Sequence, residues 1–164
     1  MIPETRTVLC ALDLEPDSGA VLRQAVGSAH AHGARLILLH VVEGMSPSSR
    51  AMIRNVMSDD EIEKIHVDGL AHLRREFLDR LKAFCERELP DGMTEATAIA
   101  EIHFAEGPTA QTIVDEARRL GADLLVMGLH SRTGLGRLLV GSVARRVLHL
   151  ARQPVLLVPT ASSA

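Results

Sequence analysis

Asp13, near the N-terminus, and a glycine- and serine-rich stretch far downstream are the features of this chain best suited to hold a ligand. Gly128, Ser131, Gly134 and Gly136 follow the apolar segment DLLVM, and Gly141-Ser142 then opens a helical pattern. Glycine accepts positive φ and lets backbone N–H groups close around an anion, and a helix start adds partial positive charge. That combination suits phosphate. Asp13 ends a short apolar run, where a carboxylate can accept hydrogen bonds from ribose hydroxyls or a base. The two features together suit a nucleotide. Residue by residue, other roles stay open: Asp13 can cap a helix or turn, and Gly134 and Gly136 can simply shape a loop. Arg132, Arg137, Arg145 and Arg146 can reach phosphates or form a solvated face.

Other reactive side chains have no such arrangement. His30 and His32 are two apart near a helix end, so they share no face for a metal and suit the helix dipole instead. His40, His66, His72, His103, His130 and His149 are scattered, with no zinc-type spacing, and only His130 falls in the glycine stretch. Cys10 and Cys85 lack a Cys-x-x-Cys partner and read as small core residues. There is no Walker A motif, and the only lysines are Lys64 and Lys82 on a long helical stretch, which argues against efficient phosphoryl transfer.

A scaffold must bring residue 13 beside residues 128–142. Residues 7–12 read as a strand, Asp17-Ser18 as a possible N-cap of a helix over residues 18–32 stopped by Gly33, and residues 35–42 (RLILLHVV) as a strand covered on both faces. Residues 46–49 read as a loop, and Ser58 with Glu61 as a capping box opening a helix to about residue 89. In that helix Leu70, Leu73, Phe77, Leu81 and Phe84 form the packed stripe, and Glu76 and Arg80 an i,i+4 pair. Residues 97–104 read as a strand, 109–120 as a helix, 123–127 as a strand, 141–151 as a helix and 154–158 (PVLLV) as a strand. Five strands alternating with four helices predict an α/β fold, a doubly wound five-stranded parallel sheet of order 3-2-1-4-5 with helices on both faces. In that order the ligand crevice falls between strands one and four, whose ends carry Asp13 and Met127-Gly128. The last strand, from Pro154 to Val158, lies at the sheet edge and invites a homodimer.

The chain has 164 residues, enough for one domain over residues 1–160 with a polar tail at 161–164. Lys and Arg number 18 against 21 Asp and Glu, a net charge of -3, which lacks the basic excess of a dedicated nucleic-acid binder. Only 2% of residues are aromatic, too few to stack successive bases. No apolar run approaches the length of a membrane span and no export signal is visible, so the expectation is a cytoplasmic protein without nucleic-acid or membrane partners. A phospho-receiver domain would need an aspartate after the third strand, where this chain has Glu106, and a flavodoxin would need rings at the site loops.

The stretch GLHSRTGLGRLLVGSVARRVLHLARQPVLLV resembles the carboxyl-terminal signature of the universal stress protein family. The family frame of Gly, two residues, Gly, nine residues and Gly-Ser is matched by Gly128, Ser131 and Gly141-Ser142, with serine replacing the second glycine. The strand ending in Asp13, HVVE at residues 40–43, EGP at 106–108 and LGADLLVMG at 120–128 extend the likeness over nearly the whole chain. The resemblance implies ATP, with Mg2+, as ligand. It places Asp13 and Val41 at the nucleoside, Met127 and Gly128 beside base and phosphates, and Gly141, Ser142 and Val143 at the phosphates. Ser131 costs more than glycine where φ is positive, and its hydroxyl can donate to a phosphate oxygen. The implied role is a nucleotide-dependent dimeric module in stress response; alternatives are a ligand-free dimeric adaptor, or slow ATP hydrolysis or self-phosphorylation at Ser142 or Ser131.

Overall fold

Apolar residues of alternating orientation in continuous apolar strands decide the layering. The computed structural model describes residues 2–129 and 140–160. Its elements are β1 (Thr7–Ala11), α1 (Gly19–His32), β2 (Arg35–Val42), α2 (Pro47–Ile53), α3 (Asp59–Glu88), α4 (Glu95–Ala98), β3 (Glu101–Glu106), α5 (Thr109–Arg119), β4 (Leu124–Leu129), α6 (Ser142–Leu150) and β5 (Val155–Pro159). The strands form one sheet in the order β3-β2-β1-β4-β5, and every neighbouring pair is parallel.

Val8, Cys10, Leu36, Leu38 and Val126 point to one face and pack with Val21, Leu22, Phe77 and Leu81 of α1 and α3. Leu9, Ile37, Leu39 and Leu125 point to the other and pack with Ile113 and Val114 of α5 and Val147 of α6. The sheet is therefore doubly wound, as expected. Leu9, Ile37, Leu38, Leu39 and Leu125 are each 0% exposed; burying such a side chain contributes roughly 1.5–3 kcal/mol.

Local signals set most boundaries. Gly33 takes φ 60 and closes α1 with bonds to the Ala29 and His30 carbonyls, and Ser58 and Glu61 form the reciprocal capping box of α3. Four expectations are corrected. Residues 46–49 begin α2 rather than a loop, because Ser46 Oγ accepts from Ser49 N at 3.1 Å and Pro47 suits the first turn. Residues 95–98 form the short turn α4, held by Thr94 and Thr97, so β3 starts only at Glu101. Leu73 is 44% exposed, because the amino-terminal part of α3 packs mainly through Ile62. Arg80 turns to the Leu14 carbonyl instead of Glu76, whose neighbour is His72 at 3.7 Å. α2 and α4 make six helices among the described residues, where four were expected. Residues 161–164 lie outside the described residues.

Candidate functional site

The sheet order reverses between β1 and β4, because β1 leads through α1 to β2 on one side, while β4 was added on the other. Ala11 pairs with Met127 on β4 and with Leu39 on β2. Asp13 and Val41 both lie two residues beyond that level, at the carboxyl ends of adjacent strands. Open α/β sheets receive ligands at this place, since crossovers leaving to opposite faces part there.

Asp13 is exposed. Its Oδ1 accepts from Ser18 Oγ at 2.5 Å and from Glu15 N at 3.2 Å. The sequence suggests Ser18 as the cap of α1. It occupies that position, but its side chain caps nothing and is directed to Asp13. The two residues thus tie the start of α1 to the end of β1. Leu14, between them, has φ 59 with its side chain 5% exposed. A branched residue in the left-handed region marks a tight, strained turn. Burial pushes the Cys10 thiol up to about 12, and the Asp13 charge adds to the shift. Cys10 therefore stays a neutral core thiol, and burial likewise raises Cys85 to about 11, with Glu95 adding to it.

Val41 is half-buried on the α5 and α6 side, in register with Ala105. Met127 is 5% exposed, and Gly128 beside it is in register with Val158 of β5. Thr160, just past β5, donates from Oγ1 to the Leu129 carbonyl at 3.2 Å and so holds the end of β4. Ser131, His130, Arg132, Gly134, Gly136 and Arg137 lie outside the described residues. The chain is described again from Val140, and Gly141 is the N-cap of α6 with φ -60 and ψ 162, a conformation open to any residue. Val140 and Val143 pack against the cluster containing Met127, which sets the first turn of α6 beside β4. Ser142 is exposed at that turn, and among the described residues no side chain caps α6. Its first N–H groups and the helix dipole together suit an anion. Arg145 bends back to the Val140 carbonyl at 3.5 Å, and Arg146 is exposed.

Other carboxylates at this end of the sheet are engaged elsewhere. Thr109 Oγ1 donates to Glu43 at 3.1 Å, and His66 Nε2 lies 2.9 Å from Glu106. Both pairs sit over β2 and β3 rather than between β1 and β4. Among the described residues no group of three or more His, Cys, Asp or Glu side chains is placed to hold a metal ion. No described helix is long and apolar enough to cross a membrane. Of the predicted site residues, Val41, Met127 and Val143 share one apolar cluster, Gly128 follows Met127 on β4, Gly141 and Ser142 open α6, and Asp13 lies two residues past the end of β1. Ser18 and Thr160 were missed as holders of the strand ends, although a serine five residues after Asp13 was visible as a possible partner.

The fold is that of a doubly wound α/β protein whose strand order reverses between β1 and β4. The model of the universal stress protein family matches residues 4–159, and the chain belongs to that family. Universal stress protein A homolog 1 of Coxiella burnetii is 28% identical over 151 residues, covering 92% of this chain and 94% of the relative. The solved structure of the hypothetical protein MJ0577 is similar with a TM-score of 0.68 at 21% identity, covering 98% of this chain and all of that one. A universal stress protein solved in complex with cAMP is 25% identical with a TM-score of 0.58, covering 97% of this chain and all of that one.

Proposed function

We propose that this universal stress protein binds an adenine nucleotide, ATP, in the crevice between β1 and β4 and acts as a nucleotide-dependent dimeric module in the stress response of the cytoplasm. What supports the reading is Asp13 just beyond the carboxyl end of β1 together with the start of α6 at Gly141 and Ser142, which no described side chain caps and whose Val143 packs in the cluster that contains Met127 of the neighbouring β4. Asp13 and Val41 are suited to the nucleoside, Met127 and Gly128 to the base and first phosphate, and the amides of Ser142 and Val143 with the Ser142 hydroxyl to the phosphates. The relative solved with cAMP supports an adenine nucleotide in this fold. With no cluster of protein ligands for a metal among the described residues, Mg2+ would arrive on the triphosphate and take phosphate and water oxygens. Ser131, in place of the second motif glycine, either lowers ATP affinity or donates its hydroxyl to a phosphate oxygen. Only slow hydrolysis is expected, since phosphoryl transfer needs a positioned base and cation.

A homodimer through residues 154–158 completes the reading. β5 is the sheet edge beyond β4, and Val155, Leu156 and Leu157 are only half-buried in the single chain. An apolar edge of this kind pairs readily with a second copy. Sedimentation at micromolar concentration is expected to give the dimer mass, and a monomer would contradict it.

The test is to heat-denature protein purified without added nucleotide, identify any released nucleotide by chromatography, and compare thermal melts with and without Mg-ATP. ATP at about 100-fold above Kd adds about 2.7 kcal/mol, which raises Tm by roughly 5–10 °C. Ser142→Ala should reduce that shift while leaving the ligand-free Tm unchanged. The absence of both released nucleotide and a shift would overturn the reading and favour the ligand-free dimeric adaptor.

A further inference from the structure

We propose that His40 is a positioning residue that holds the turn carrying Asp13, and thereby sets nucleotide affinity without touching the ligand; the affinity consequence rests on the nucleotide-binding reading above. His40 Nδ1 lies 2.9 Å from the Leu12 carbonyl oxygen. A carbonyl only accepts, so Nδ1 carries the hydrogen, and this holds for the neutral ring and for the imidazolium alike. The ring cannot swing away easily. It stacks on Phe77 with centroids 4.2 Å apart and planes 20° from parallel, and lies 5.5 Å from Phe104.

Leu12, the residue before Asp13, is therefore held through both of its backbone polar groups. Leu12 N donates to the Leu39 carbonyl at 3.0 Å, and the Leu12 carbonyl accepts from His40. Beyond Asp13 the chain bends through Leu14 at φ 59, and the Leu14 carbonyl faces Arg80 Nη2 at a long 3.5 Å. A strained turn persists only where its surroundings over-determine it. The bond from His40 is the short, well-buttressed one of these restraints, and it falls on the residue next to Asp13. Its loss would leave the carbonyl of Leu12, a residue 5% exposed, without its imidazole donor and free Asp13 to move.

Three variants and two readouts test this. His40→Leu removes the donor and keeps apolar bulk; His40→Asn puts an amide near the Nδ1 position; His40→Gln puts it near Nε2 instead. The first readout needs no ligand: amide exchange of Glu15, whose N–H donates to Asp13 at 3.2 Å. The second is ATP affinity, with Tm recorded for each variant. His40→Leu should speed Glu15 exchange and weaken ATP binding, each about tenfold, the scale of one hydrogen bond. His40→Asn should restore both, and His40→Gln should behave like leucine, which keeps the test open should the leucine variant fail to fold. Unchanged Glu15 exchange in the leucine or glutamine variant, or an asparagine variant no better than these two, overturns the assignment. Wild-type protein that binds no ATP overturns the nucleotide reading instead, while Glu15 exchange still decides the role of His40.

Discussion

Ser18→Ala isolates the bond that orients the Asp13 carboxylate. Ser18 is 2% exposed, and its backbone keeps its own partners, donating to the Glu15 carbonyl at 2.9 Å and accepting from Val21 and Leu22. Its side chain caps no helix amide, so no cap is lost on truncation. Only an oxygen is removed, which leaves a negligible cavity. The cost is then the hydrogen bond to Asp13, and a bond to a charged group is worth about 1.5–3 kcal/mol when water is kept out. Asp13 is exposed, so water replaces part of what is lost and the expected cost falls to about 1 kcal/mol. For a domain of this size that lowers Tm by roughly 2–4 °C. If the proposed site is correct, loosening the carboxylate also weakens ATP binding about fivefold. The assay is a double-mutant cycle with Asp13→Asn, read by thermal melts and by titration with ATP. Because the amide no longer carries charge, Ser18→Ala should cost much less in the Asp13→Asn background. An equal cost in both backgrounds would refute the reasoning, since Ser18 would then act through something other than Asp13.

Gly107 has φ 149, and a Cβ there would meet Thr112 Oγ1 at 2.6 Å, so Gly107→Ala should cost about 2 kcal/mol, partly recovered by adding Thr112→Ala; a thermal melt within 1 °C of wild type, roughly a quarter of a kcal/mol, would contradict this. Burial holds Cys10 and Cys85 up at about 12 and about 11, so neither should react with a thiol reagent at roughly pH 8 in the folded protein, and both should after denaturation; rapid labelling of either in the native state would show an open core. The hydrogen bond from Arg119 to Glu116, aided by its charge, holds that carboxyl below its ordinary 4.5. A lowered folded-state value gives stability that is present above pH 4.5 and lost as pH falls through the folded value. Glu116→Gln should therefore flatten that part of the acid limb of Tm against pH, and a limb of wild-type shape would count against the pair.

Much of the fold was legible because its signals are local. The continuous run RLILLHVV can only be a strand covered on both faces, Gly33 ends α1 because it alone tolerates φ 60 cheaply, and Ser58 with Glu61 opens α3 through bonds three residues apart. Alternation of strands with helices and the right-handed crossover rule then restrict the topology, and the reversal between β1 and β4 follows. Asp13 and Gly141-Ser142 were legible as candidate site residues for the same reason: the ends of strands and the starts of helices are visible in the chain. Errors came where weak local preferences competed. Residues 46–49 carry loop-forming serines, yet Ser46 and Pro47 use the same chemistry to start α2, and residues 97–98 share the apolar character of β3 but are held in a turn by Thr94. What no local pattern contains is the partner of a side chain across the fold. Ser18 reads as a cap until β1 ends beside it, Arg80 reads as the partner of Glu76 until Leu14 turns toward it, and His40 is one polar residue in an apolar strand until Phe77 and the Leu12 carbonyl close around its ring. Those contacts join residues distant in the chain, so only packing the sheet against α1 and α3 decides them.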